Sequence, residues 1–145
     1  MSLAGLANML AAGDRGTLDS LPYARTLGLS YAIMGEEVIL TMPYAKTLIG
    51  SPQPPRLHGG TVAGLMEITS MAQLLHSLRG EDAVPAIKPI DVTVDYLRAG
   101  QPVDTFARAT IVRLGRRIAN VRVEAWQEDA AKPIAASRMN LMLAR

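Results

Sequence analysis

Residues 59–79, GGTVAGLMEITSMAQLLHSLR, run about 20 positions without a proline, open on a glycine pair and carry one acidic residue, Glu67. That length is too great for an ordinary strand and fits a helix. It is the one long helix the sequence predicts, with Gly80 expected to cap its end in the left-handed conformation. Apolar residues occupy nearly every side of it, so one sheet face cannot cover it and a second subunit is expected to supply the rest.

Upstream, 47–57 carries Gly50, Pro52, Pro54 and Pro55. Their fixed backbone angles and missing amide hydrogens predict a loop without regular structure. Before it, Leu27, Leu29, Tyr31 and Ile33 share one parity, and Val38, Leu40 and Met42 repeat the pattern after a Gly-Glu turn, which reads as a hairpin. The first 14 residues have a Leu/Ala pattern that predicts an N-terminal helix, without the basic start and long apolar run of a secretory signal. Downstream, Ile90, Val92, Val94 and Tyr96 alternate with Asp91, Thr93 and Asp95. Similar alternation at 106–113, 119–126 and 134–143 predicts three more half-buried strands. The expected fold is α+β: an antiparallel sheet of about six strands wrapped around one long central helix, as a single domain over 1–145 that dimerises.

The 145 residues are 49% hydrophobic and 19% charged, enough for a buried core. A formal net charge of +2 argues against a nucleic-acid surface. The absence of cysteine removes disulfides, thiolate metal sites and cysteine nucleophiles, and two histidines argue against a zinc site. No metal or cofactor is expected. The apolar stretch 59–75 is short for a bilayer crossing, so a cytoplasmic protein without a membrane partner is expected.

Chemistry points to Glu67. At about 100° per residue, Gly60, Ala63, Gly64 and Met71 fall within roughly 60° of it, which predicts a slot of small side chains beside the carboxylate. A lone buried carboxylate is costly unless paired, hydrogen-bonded or neutralised, and unpaired it should titrate high, as suits a general base or nucleophile. The bland alternative is an ion pair with an arginine or a solvent-facing position. Gly59 and Gly60 at the helix start present unpaired amides to a developing oxyanion. His58 read alone is a capping or packing histidine, and His76, on the far side of the helix, is structural.

His58-Gly59-Gly60, the acid nine positions after the histidine, and Ile90-Asp91-Val92-Thr93-Val94-Asp95-Tyr96-Leu97-Arg98 together resemble the hotdog-fold thioesterases of the phenylacetate-pathway type, over nearly the whole chain. The resemblance implies an acyl-coenzyme A thioesterase with Glu67 as catalytic base or nucleophile. It implies further that the Gly59 amide polarises the thioester carbonyl, that His58 orients the loop or substrate, and that the site is shared in a dimer or tetramer. Coenzyme A is then part of the substrate, not a cofactor. Where such proteins carry an asparagine or glutamine six residues before the histidine, this chain has Pro52, which shifts that role to Ser51 or Gln53. Pro89 and Met71 stand where hydroxyl residues occur in other members, and Ser70 is the nearest substitute. Gly60 and Met71 would line the substrate site. Arg98, Arg113, Arg116 and Arg117 are candidates for the nucleotide phosphates, since arginine binds such oxygens bidentately, the alternative being a solvated hairpin. The rival function is a non-catalytic dimer that binds acyl groups or acyl-coenzyme A.

Overall fold

Alanine on the strands and larger side chains on the helix set how closely the two layers meet. In the computed structural model, which describes residues 3–145, Ala107, Ala109, Ala119, Ala125 and Ala135 are buried beneath the central helix, whose Leu65, Met66 and Leu74 have no exposed surface. Small side chains opposite large ones allow an interior of ordinary packing density.

The chain runs α1 (Leu3–Ala12), β1 (Arg15–Thr17), α2 (Pro22–Leu27), β2 (Ser30–Met34), β3 (Glu37–Met42), a 3-10 turn (Lys46–Leu48), β4 (Ile49–Pro52), β5 (Pro55–Leu57) and α3 (Gly59–Ser77). Four strands follow: β6 (Ala86–Tyr96), β7 (Thr105–Leu114), β8 (Ile118–Trp126) and β9 (Ala135–Ala144). Seven strands form one sheet in the order β1-β2-β3-β7-β8-β9-β6, every pair antiparallel, while β4 and β5 make a separate ribbon. α3 packs on one face of the sheet, and Leu6 and Leu10 of α1 join the same core. This is the expected α+β hotdog arrangement, with one strand more than expected.

The extra strand is β1, three residues with a glycine at the centre and no apolar alternation, paired Arg15↔Ala32 to Thr17↔Ser30. Leu27 and Leu29 are not strand residues. Leu27 ends α2, and Gly28 between them takes φ 68° as the left-handed cap, donating to the Ala24 and Arg25 carbonyls. The proline-rich loop holds regular structure after all, because Pro52 and Pro55 sit at the strand ends beside the turn of a short ribbon. Gly80 does not cap α3: Leu78 does, with φ −96°. The alternation in β6 buries only part of it. As the last strand of the sheet it keeps Ile87 in the core and Val94 packed against it, while Ile90, Val92 and Tyr96 are 54%, 40% and 57% exposed. The N-terminal helix is present as α1, and its expected first two residues, Met1 and Ser2, lie outside the described residues.

Gln73 ties α3 to the β2–β3 hairpin: its Oε1 accepts from the Val38 amide at 2.9 Å and its Nε2 donates to the Glu36 carbonyl at 2.7 Å. Val38 is fully buried, so removing the acceptor strands its amide. Gln73→Leu should therefore lower stability by about 1–3 kcal/mol in denaturant unfolding. Nearby, Arg79 pairs with Glu36 and Arg145 with Glu81, each at 2.7 Å. The arginine hydrogen bond holds each carboxyl below its usual pKa. Such a group contributes stability above its unfolded pKa and loses it as pH falls through the lowered folded value. Glu36→Gln should thus flatten the acid limb of a Tm-against-pH curve, and only slightly, because solvent and salt screen exposed pairs.

Candidate active site

The approach to α3 is held from both sides. The Leu57 amide donates to the Gly100 carbonyl at 2.9 Å, and the His58 amide to the Leu48 carbonyl at 2.8 Å. Close backbone passage explains two glycines here: a Cβ on Gly50 would fall 2.8 Å from His58 Cα, and one on Gly100 would fall 3.0 Å from Leu57 Cβ. His58 is thereby fixed as the residue that caps the helix.

Its ring Nδ1 accepts from the Gly60 amide at 2.9 Å. An amide only donates, so Nδ1 holds the lone pair and the ring proton of the neutral imidazole belongs on Nε2. The Thr61 amide and hydroxyl both donate to the His58 carbonyl, at 3.0 Å and 2.7 Å. Of the amides a helix start leaves without intrahelical acceptors, those of Gly60 and Thr61 are therefore occupied. The Gly59 amide has no acceptor among these bonds. Tyr96 lies against Gly59, its Cζ 3.0 Å from where a Cβ would be, and its hydroxyl donates to the Gly59 carbonyl at 2.9 Å. Gly59, Val62, Tyr96, Arg56 and Arg98 line a cleft of about 440 Å³. Arg98 also borders an adjoining cleft of about 510 Å³ that carries Lys132.

Glu67 sits two turns further along. It is half-buried, and neither of the two ion pairs among the described residues includes it. The arginine partner that would have made it structural is not supplied within the chain. Ala63, Gly64, Ile68 and Met71 around it are likewise half-buried, so this stripe of α3 is the one the sheet leaves open. The expected slot of small residues is not empty: the His58 ring occupies the space above Gly60, and the Tyr23 ring that above Gly64. Ser70 is fully buried, and its hydroxyl donates to the Glu67 main-chain carbonyl at 2.6 Å. His76 is buried with Nε2 2.9 Å from the Gly35 carbonyl, a structural contact.

Among the other predicted site residues, Ser51 and Gln53 are exposed in the β4–β5 ribbon and its turn. Arg113 is the last residue but one of β7, and Arg116 and Arg117 lie in the β7–β8 turn, at the end of the sheet away from Gly59: the Arg117 carbonyl accepts from the Leu143 amide, whereas Tyr96 pairs with Ala135. The run of β9 between those points is about 27 Å at strand spacing. Arg98 alone of the four arginines thus shares the Gly59 cleft. Sequence reasoning did not single out Tyr96, Arg56 or Tyr23. Tyr96 closes an alternating series and reads as a strand residue, and nothing local marks the other two.

A sheet bent round a central helix that is entered through a His-Gly-Gly cap places the chain among the hotdog-fold proteins. Residues 50–142 match the family described as the acyl-CoA thioesterase N-terminal domain, and the chain belongs to that family. Among its relatives is the medium/long-chain acyl-CoA thioesterase YigI of Escherichia coli K12, 26% identical over 120 residues, which span 75% of this chain and 77% of that one. A solved structure from Chromobacterium violaceum is 32% identical, covering 99% of this chain and 96% of that one with a TM-score of 0.70. A phenylacetic acid degradation-related protein from Ralstonia eutropha JMP134, 21% identical over 83% of this chain and 89% of its own, shares the fold at a TM-score of 0.69.

If the histidine ring caps the helix, His58→Ala should cost about 1 kcal/mol of stability, and His58→Asn, which keeps a capping oxygen, should recover most of it. Urea unfolding of the two variants checks this.

Proposed function

We propose that the protein hydrolyses small or medium acyl-coenzyme A thioesters, with Glu67 as base or nucleophile and the Gly59 amide as oxyanion donor. The observation that carries the reading is the unpaired Glu67 on the open stripe of an otherwise uncharged helix segment. Acting as base, Glu67 takes a proton from water as its oxygen attacks the thioester carbonyl. Negative charge then gathers on the carbonyl oxygen, where the Gly59 amide and the positive helix end oppose it. Collapse breaks the carbon–sulfur bond and returns a proton to the departing thiolate. Acting as nucleophile, Glu67 attacks the carbonyl carbon itself, the carbon–sulfur bond breaks and the thiolate leaves with a proton from solvent, and water then opens the mixed anhydride to the free acid and the Glu67 carboxylate. His58 keeps the loop in place and turns its Nε2–H outward.

Glu67 is eight positions after Gly59, about 12 Å of helix rise. One carbonyl cannot touch both within a single chain. The proposed site is therefore completed by a second copy, the Gly59 amide of one facing Glu67 of the other. β6 is the edge for that association: it is 11 residues long and unpaired on its outer side, whereas β1 at the other edge has only three. A twofold antiparallel pairing of β6 with its copy exchanges ends. It brings the hairpin arginines Arg113, Arg116 and Arg117 of one chain toward the Gly59 cleft of the other, where Arg98 already stands. Those groups would take the coenzyme A phosphates. No helix among the described residues is long and apolar enough to cross a membrane, and the cytoplasm is the proposed compartment.

Ser70, its hydroxyl committed to the Glu67 carbonyl, favours the rival reading of a dimer that binds acyl-coenzyme A without turnover. Free-thiol release from an acyl-coenzyme A panel separates the two. Glu67→Gln should lower turnover by about 100-fold or more, and turnover no better than this variant's on every substrate leaves the binding dimer. Gly59→Pro removes the amide hydrogen at a helix position that tolerates proline, and Gly59→Ala controls for the added side chain. Mixed dimers of Glu67→Gln with Gly59→Pro should regain hydrolysis that neither variant shows alone; no recovery sinks the shared site.

A further inference from the structure

The open stripe of α3 has a feature that the proposed reaction does not use. Helical side chains lean toward the helix N-terminus, so the Glu67 carboxylate leans back over Ala63 and Gly64. A side chain from α2 already lies there. A Cβ on Gly64 would sit 2.6 Å from Tyr23 Cε1, 3.2 Å from Cζ and 3.0 Å from the hydroxyl oxygen. Only a residue without a side chain admits the ring at this point on the helix.

Tyr23 is not needed to hold α2 in place. Leu21, Ala24 and Leu27 are buried and do so, while Tyr23 remains 51% exposed. The mount is nevertheless firm, with Pro22 in the first turn and the Gly28 cap at the far end. A half-exposed aromatic ring is thus presented to the helix one turn before the proposed reacting carboxylate. Beyond Glu67 the stripe continues with Ile68 and Met71, apolar and half-buried.

We propose that Tyr23 is a specificity-determining residue for the acyl group, its ring closing the Gly64 side of the slot beside Glu67 and leaving the acyl chain the side of Ile68 and Met71. The inference rests on Glu67 marking the acyl site. Without the ring, Ala63 and Gly64 open a second path toward the helix start, and longer acyl chains gain room.

The test compares the 145-residue protein with Tyr23→Ala and Tyr23→Phe, measuring kcat/KM across straight-chain acyl-coenzyme A thioesters from acetyl to palmitoyl. Dissociation constants for the matching non-hydrolysable thioether analogues are measured alongside. Tyr23→Ala should raise the long-to-short ratio about tenfold or more, the scale of discrimination set by the fit of an apolar pocket, and Tyr23→Phe should leave it unchanged. Tyr23→Leu, which lacks the ring, carries the same test should the alanine variant not fold. A folded variant without the ring that keeps the parent's ratio in both measurements overturns the proposal. Absence of hydrolysis in the parent removes the thioesterase reading alone, and a shift in the binding ratio then still supports Tyr23 as the wall. The contact has its own check: Gly64→Ala should lower Tm in the parent and do so less in Tyr23→Ala, and an equal loss in both backgrounds counts against it.

Discussion

A 19-residue helix whose one acidic residue is Glu67 cannot be left in water, and the need to surround α3 organises the rest of the molecule. The sheet is faced with alanines where it passes beneath the helix, which lets leucine and methionine from α3 sink against it. α1 adds Leu6 and Leu10 to the same core. Gln73 joins the helix to the β2–β3 hairpin, accepting from the buried Val38 amide and donating to the Glu36 carbonyl in the turn. What these layers leave open is one stripe, and Glu67 lies on it.

The start of the helix follows from a second constraint, that backbone donors find acceptors. The His58 ring takes the Gly60 amide and the His58 carbonyl takes that of Thr61, while the loop below is fixed by Leu48 and Gly100. The amide of Gly59 is left over, facing a cleft walled by Tyr96. The histidine therefore owes its place to the polarity of the helix end, whatever further role it has toward substrate.

Much of this was readable in the sequence where one interaction dominates the local pattern. The proline-free run after Gly59 gave α3 to within two residues at its C-terminal end, and alternation located β7, β8 and β9 because each is buried on one face only. Three features escaped because distant residues decide them. β1 exists only because β2 offers it an edge. β6 alternates like its neighbours, yet at the edge of the sheet most of its side chains stay exposed. Helix periodicity placed small residues around Glu67 correctly, but angular counting is blind to α2, which lays Tyr23 on Gly64. Glu67 and Gly59 were legible as a carboxylate on an apolar helix and a glycine at its start. The separation of the hairpin arginines from Gly59 was not, because it depends on which way β7 and β9 run.

The pairing of β3 with β7 carries a consequence for how the chain folds. These strands flank α3 and β6, and the bond from the Tyr44 amide to Asp104 closes a separation of 60 residues. The β2–β3 hairpin and the β7–β8–β9 meander can each form from neighbouring sequence, but the sheet is continuous only after the two meet around the helix. Such long-range closure slows folding relative to proteins with mostly local contacts. Until it occurs, the apolar faces of both halves and the edges of β3 and β7 stand exposed, so the period of greatest risk for misassociation falls before the central seam is sealed.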